Sequence, residues 1–136
     1  MEASQISNAQ HQLRALLLER SVKFGDFTLA SGKKSSYYID ARLTTMSGRG
    51  QVLIGRVGLQ LIREMNWQPD SIGGLTLGAD PIAYAIAHEA TTQGEQLDAF
   101  TVRKEAKAHG AGRLIEGGFH PDMAVVIVED VITTGE

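Results

Sequence analysis

With 136 residues, 43% of them hydrophobic and 21% charged, the chain has the size and balance of one domain built round a single core. Its formal charge of −3 gives no overall attraction to nucleic acid or to an acidic membrane, so any affinity for anions has to come from a local cluster. Zero cysteines exclude a disulfide framework, a thiolate zinc site and a cysteine nucleophile, which suits a reducing cytoplasm, and the four histidines are too scattered to suggest a metal site. The first twenty residues lack the basic start, apolar centre and cleavage site of a signal peptide, and no apolar stretch reaches membrane-spanning length.

Ser7 followed by Gln10 forms a capping-box pattern, and Leu13, Leu16, Leu17 and Val22 recur behind it at helical spacing, which predicts an amphipathic first helix. Gly25 and Gly32 then bracket an irregular or short-stranded stretch ending near Asp40. A second helix is expected from about Arg49 to Met65, with Ile54, Val57, Leu61, Ile62 and Met65 as its apolar stripe. Ser71 to Leu77 reads as a short strand, and Asp80-Pro81 supplies an N-cap and a first-turn proline for a helix through about Ala90. Leu97 to Val102 reads as a strand. Ala124 to Glu129 does too, its β-branched run implying burial on both faces. The sum is an α/β fold, an open and mainly parallel sheet flanked by helices, in a single domain. Ligands in such sheets bind beyond the carboxyl ends of the strands, which singles out the loops after Leu77, Val102 and Val128.

The last of these loops carries the sharpest signal, Val125-Val126-Ile127-Val128-Glu129-Asp130-Val131-Ile132-Thr133-Thr134-Gly135. Glu129 and Asp130 at a strand end can accept hydrogen bonds from a sugar diol. The turn behind them offers backbone N–H groups, two threonine hydroxyls and a glycine, a set suited to a phosphate. Taken alone, an acidic pair before a turn is more often an ordinary strand-to-helix connection. The whole string, however, closely resembles the phosphoribosyl-pyrophosphate (PRPP) motif of the type I phosphoribosyltransferases. That resemblance implies that Glu129 and Asp130 hold the ribose hydroxyls and that Val131, Ile132, Thr133, Thr134, Gly135 and Glu136 bind the 5-phosphate, with Thr133 also meeting the base. Glu136 stands where the family usually has glycine, which puts an extra carboxylate near the phosphate.

A second cluster, Arg103-Lys104-Glu105-Ala106-Lys107-Ala108-His109-Gly110-Ala111-Gly112-Arg113, gathers positive charge between glycines that oppose helix continuation and suit a mobile lid. Its plainer reading is a solvated, charged turn. "VRKEAKAHG", with the "GRLIEGG" that follows it, resembles the catalytic loop of the orotate branch of the same family. By that resemblance Arg103, Lys104, Lys107 and His109 contact the pyrophosphate, Lys104, Lys107 and His109 being the catalytic set and Lys104 acting across the interface of a homodimer with shared sites.

"FGDFTLASGKKSSYYIDAR", Phe24 to Arg42, resembles the family's hood over the base, with Tyr38-Ile39 base-proximal; equally, Tyr37, Tyr38 and Ile39 fill a core strand. Residues 1–45 are thus expected to form the first helix and hood, and 46–136 a partial α/β core. Where some members carry a base-binding lysine this chain has Ala30, leaving Lys33 or Lys34 as substitutes. Thr76 to Pro81 aligns with a pyrophosphate-binding loop in which Leu77-Gly78 offers only backbone groups and a helix N-terminus.

The resemblance implies magnesium (Mg2+) carried by the substrates rather than a protein metal site, orotate and PRPP as partners, and a cytoplasmic enzyme that binds neither nucleic acid nor membrane. Further core elements are expected beyond Glu136, so the sequence is expected to be either a fragment of a longer chain or a truncated form, and to have little activity by itself. Weaker alternatives are a PRPP-sensing regulator of the same fold and transfer to another base.

Overall fold

The structure, a computed structural model, describes residues 2–109 and 112–135, with side chains from residue 8 onward. Helix α1 (Glu2–Arg20) begins before the expected cap, so Ser7 lies inside it, and Val22 falls beyond it in the first strand. Nothing between Glu2 and Ser7 opposes a helix, neither glycine nor proline, and the local capping preference therefore did not set the boundary.

Strands β1 (Val22–Thr28) and β2 (Lys34–Ile39) form a separate antiparallel hairpin, irregular between Phe24 and Phe27. A short helix α2 (Arg42–Thr45) leads into α3 (Gly48–Glu64), close to its expected span. Ser47 caps α3: its hydroxyl accepts from the Gly50 N–H at 3.0 Å and donates to the Thr44 carbonyl at 2.7 Å.

The core sheet has the order β5-β4-β3-β6. At its centre β3 (Ser71–Leu75) runs parallel to β4 (Asp98–Val102) and to β6 (Val125–Ile127), while β5 (Ile115–Gly117) pairs antiparallel with β4. Helix α4 (Asp80–Thr92) connects β3 to β4. The core gathers Ile54, Leu59 and Ile62 of α3, Ile72 of β3, Ala83, Ile86, Ala87 and Ala90 of α4, and Leu97; Leu13 of α1 packs against it. The predicted α/β class therefore stands, with helices flanking a sheet whose long-range pairs are mostly parallel.

Three local expectations need correction. The terminal strand is shorter than Ala124–Glu129 and sits at the sheet edge, where Ile127 is 66% exposed; a β-branched run reports strand preference and says nothing of whether both faces are covered. Asp80 is not the cap of α4, since Ala79 holds that position and no side chain caps the helix; the Asp80 carboxylate is drawn inward to two hydroxyls instead. Strand β5 was not anticipated, because three residues beside glycines show no alternation to detect.

Candidate functional site

The parallel pairings align the carboxyl ends of β6, β3 and β4, so the three loops singled out by the sheet rule leave from one edge. The ladder continues one step past β6, the Val128 N–H donating to the Gly73 carbonyl at 2.9 Å. Glu129 and Asp130 are thereby delivered to the sheet edge beside the 76–80 loop. Gly78 is the contact point: a methyl group there would overlap Asp130 Oδ1 and lie 2.7 Å from its Cγ and 2.8 Å from Glu129 Oε1. Only glycine allows the loop to lie this close to the acids.

Asp130 keeps 11% of its side chain exposed and faces the Arg42 guanidinium, Nε to Oδ2 at 3.7 Å. Its N–H donates to Glu129 Oε1 at 3.0 Å. The Glu129 pKa is raised, first by desolvation of the carboxyl and then by the neighbouring Asp130 side chain; the Asp130 N–H and Arg42 oppose this. Arg42 was not singled out from the sequence, since no spacing links it to a residue 88 positions on; only the fold brings α2 to the terminal motif.

Val131 to Thr134 turn away as an exposed bend, and Gly135 takes φ +83°. Among the described residues none of the N–H groups from Val131 to Gly135 donates to a main-chain carbonyl. Glu136 lies outside the described residues.

In the 76–80 loop, the Ala79 and Asp80 N–H groups are occupied by the Leu75 and Leu77 carbonyls, each at 3.2 Å, and Pro81 has none. The expected helix N-terminus is thus largely engaged in the turn, leaving the Leu77 and Gly78 N–H groups without a main-chain acceptor among the described residues. The Thr76–Leu77 peptide is cis.

The cationic loop is an excursion between β4 and β5. Its root is closed by Arg103 N–H to the Leu114 carbonyl at 2.7 Å, and it narrows again where Lys107 N–H meets the Arg113 carbonyl at 3.0 Å. Arg103 is turned sideways to Glu105 and Glu116, its Nη1 lying 3.9 Å from Glu116 Oε1. Lys104, Lys107 and His109 are exposed, and among the described residues their side chains form no hydrogen bond or ion pair. Gly110 of the expected lid lies outside the described residues, while Gly112 takes φ +63°. The structure thus unites Glu129, Asp130 and Gly78. Among the described residues no loop cation pairs with either acid: Asp130 faces Arg42, and Arg103 faces Glu116.

In the hood, Phe24 is 77% exposed and Tyr37, Tyr38 and Ile39 are about half exposed, which removes the core-strand reading of these residues. Tyr38 packs its ring 5.8 Å from that of Phe27. Ala30, Lys33 and Lys34 sit exposed round the hairpin tip.

No protein-family model matches the chain. An orotate phosphoribosyltransferase of Aquifex aeolicus is 46% identical over 129 residues, which is 93% of this chain and 69% of that protein. The crystal structure of Mycobacterium tuberculosis H37Rv orotate phosphoribosyltransferase in complex with Fe(III) dicitrate matches with a TM-score of 0.80 at 46% identity, over 93% of this chain and 70% of that one. Its complex with 5-phospho-alpha-D-ribosyl 1-diphosphate matches with a TM-score of 0.75 at 40% identity, over 93% and 67%. The chain spans about two thirds of the length of these relatives.

Proposed function

The chain belongs to the orotate phosphoribosyltransferase family, and from that premise we propose that, in its full-length form, it transfers the phosphoribosyl group of PRPP to orotate, giving orotidine 5-phosphate and pyrophosphate for pyrimidine synthesis. The observation that carries this reading is the acid pair Glu129 and Asp130 held against Gly78, at the edge from which the cationic loop departs.

In the reaction the bond from the anomeric carbon to a diphosphate oxygen breaks as one to a ring nitrogen of orotate forms, and the proton of that nitrogen is released to the departing diphosphate or to water. Negative charge grows on the departing diphosphate, and the ribose gains oxocarbenium character. Glu129 and Asp130, acceptors only when ionised, take hydrogen bonds from the ribose 2- and 3-hydroxyls. The N–H groups of Val131, Ile132 and Gly135 and the hydroxyls of Thr133 and Thr134 receive the 5-phosphate, with Thr133 also reaching orotate.

Arg103, Lys104, Lys107 and His109 close over the diphosphate, stabilise its charge and exclude water. Arg103 can turn from Glu116 at little cost, because a half-exposed pair at 3.9 Å contributes little. Lys104 serves the site of a second copy in a homodimer, for which the exposed apolar side chains Phe24, Tyr37 and Tyr38 offer a contact surface. The cysteine-free composition supports a cytoplasmic setting.

Among the described residues no three acidic or histidine side chains converge. A hard divalent ion would be carried mainly by substrate oxygens and water, with Glu129 and Asp130 the carboxylates at the proposed donor site. Magnesium supplies charge neutralisation on the diphosphate when bound.

The test is spectrophotometric. Full-length chain, PRPP, magnesium and orotate together should deplete orotate absorbance, and omission of the donor or the metal should stop the change. An unchanged spectrum in the complete mixture ends the reading.

A further inference from the structure

A buried carboxylate unused by this chemistry lies between the two loops that would hold the donor. Asp80, 9% exposed, accepts from the Thr76 hydroxyl at 2.6 Å through one oxygen and from the Thr101 hydroxyl at 2.9 Å through the other. The Thr101 oxygen also lies 2.6 Å from the Tyr84 hydroxyl. Thr101 has one hydroxyl proton, and an ionised Asp80 can only accept, so the direction of every bond follows: Tyr84 donates to Thr101, Thr101 and Thr76 donate to Asp80.

The members of this chain come from separate parts of the site. Thr76 follows β3 and opens the loop that carries Gly78. Thr101 lies on β4, two residues before Arg103 at the root of the cationic loop. Tyr84 is one turn along α4, which Asp80 begins. Charge-assisted bonds from two hydroxyls are among the stronger ties available to a loop, and they converge on one side chain.

We propose that Asp80 is a positioning residue: it fixes the height of Gly78 against Glu129 and Asp130, and joins that loop to the strand from which the cationic loop springs, so that the floor of the donor site is one rigid unit. The proposal rests on the donor-site reading given above. Gly78 has no room to approach the acids, so any slackening moves it away from them and widens the donor's seat. A displacement of this kind, on the order of 1 Å, is enough to cost about a hundredfold in rate.

The experiment compares Asp80→Asn, Thr101→Val and Thr101→Ser in the full-length chain, by KM for each substrate and by hydrogen exchange. Asp80→Asn keeps the shape but puts an N–H2 where one hydroxyl must donate; it should raise the KM for PRPP by about 10- to 100-fold and leave that for orotate within a factor of about three. Thr101→Val should follow it, and Thr101→Ser, which retains the hydroxyl, should behave as the parent. In Asp80→Asn, exchange should quicken together at the hydrogen-bonded amides of Thr76, Ala79 and residue 80 and at 101–103, a readout that needs no turnover.

Equal effects of Thr101→Val and Thr101→Ser, an equal rise in KM for both substrates, or unchanged exchange in Asp80→Asn would overturn the positioning role. Absence of turnover in the parent would instead refute the functional reading, while the exchange arm still decides whether Asp80 sets the loop.

Discussion

The floor of the site and its cationic loop are built on opposite physical terms. In the floor, acids and glycines are packed so closely that added atoms have nowhere to go: Gly78 lies against Asp130, and a methyl on Gly74 would overlap the Val128 carbonyl and lie 2.7 Å from the Ala79 Cβ. In the loop, backbone bonds close the root while Lys104, Lys107 and His109 reach into solvent. On the reading proposed above, the close-packed floor would orient the ribose and the exposed cations would meet the departing diphosphate. The difference teaches that the same loss of activity should arise from two distinct failures, one structural and one electrostatic.

Substitution of the loop breaks the comparison most sharply. Lys104→Ala should lower turnover on the order of a hundred- to a thousandfold, the scale for removing one preorganised charge from a transition state. Its Tm should stay at that of the parent, because an exposed side chain changes stability by less than about 0.5 kcal/mol. Steady-state assay beside thermal unfolding in the full-length chain checks both halves; a matching fall in Tm would erase the contrast.

Gly78→Ala probes the floor and should show the opposite signature. Overpacking costs about 1–3 kcal/mol of fold stability, so the variant's Tm should fall where that of Lys104→Ala does not. Because the added methyl meets the carboxylates themselves, the KM for PRPP should rise more than turnover falls. Calorimetry with PRPP on this variant and on Lys104→Ala sharpens the distinction: the floor variant should lose ground-state binding, whereas the loop variant should keep most of it.

What was legible in the sequence follows the same division. Segments adjacent along the chain were readable in position, namely Glu129-Asp130 just past β6, the exposed Thr133-Thr134-Gly135 bend and the basic excursion after β4. The span of α3 and the existence of β3 were readable too, though β3 stops at Leu75, and the buried stripe of α3 is Leu53, Ile54, Leu59 and Ile62, leaving the expected Leu61 and Met65 about half exposed. Arg42 and the Asp80 network were not readable, since each depends on partners brought together by tertiary packing: Arg42 on Asp130, and Asp80 on Thr101 across the β3–β4 pair. Asp80 before proline looks like a cap from its neighbours alone, and only the nearby hydroxyls show why it turns inward. The exposed edge of β6 was hidden for a related reason, as residue type reports strand preference and a neighbouring strand decides burial.

The smallest effect concerns Glu129 and is decided by its sign. Its carboxyl is raised from an ordinary 4.5, chiefly by desolvation and next by Asp130, so the folded chain holds this proton more tightly than the unfolded chain does. Below 4.5 both states are protonated, and the acid costs the fold nothing. As pH climbs from 4.5 through the raised folded value, the unfolded chain ionises first and stability declines; above that value the penalty is complete and constant. Glu129→Gln removes the titration. The variant should therefore be slightly more stable than the parent at pH 7 and indistinguishable from it near pH 4, while binding PRPP less well, because an amide replaces an acceptor-only group facing the diol. Paired unfolding curves between pH 4 and 8 measure the difference, and a variant less stable than the parent at neutral pH would mean that the ionised Glu129 supports the fold instead of burdening it.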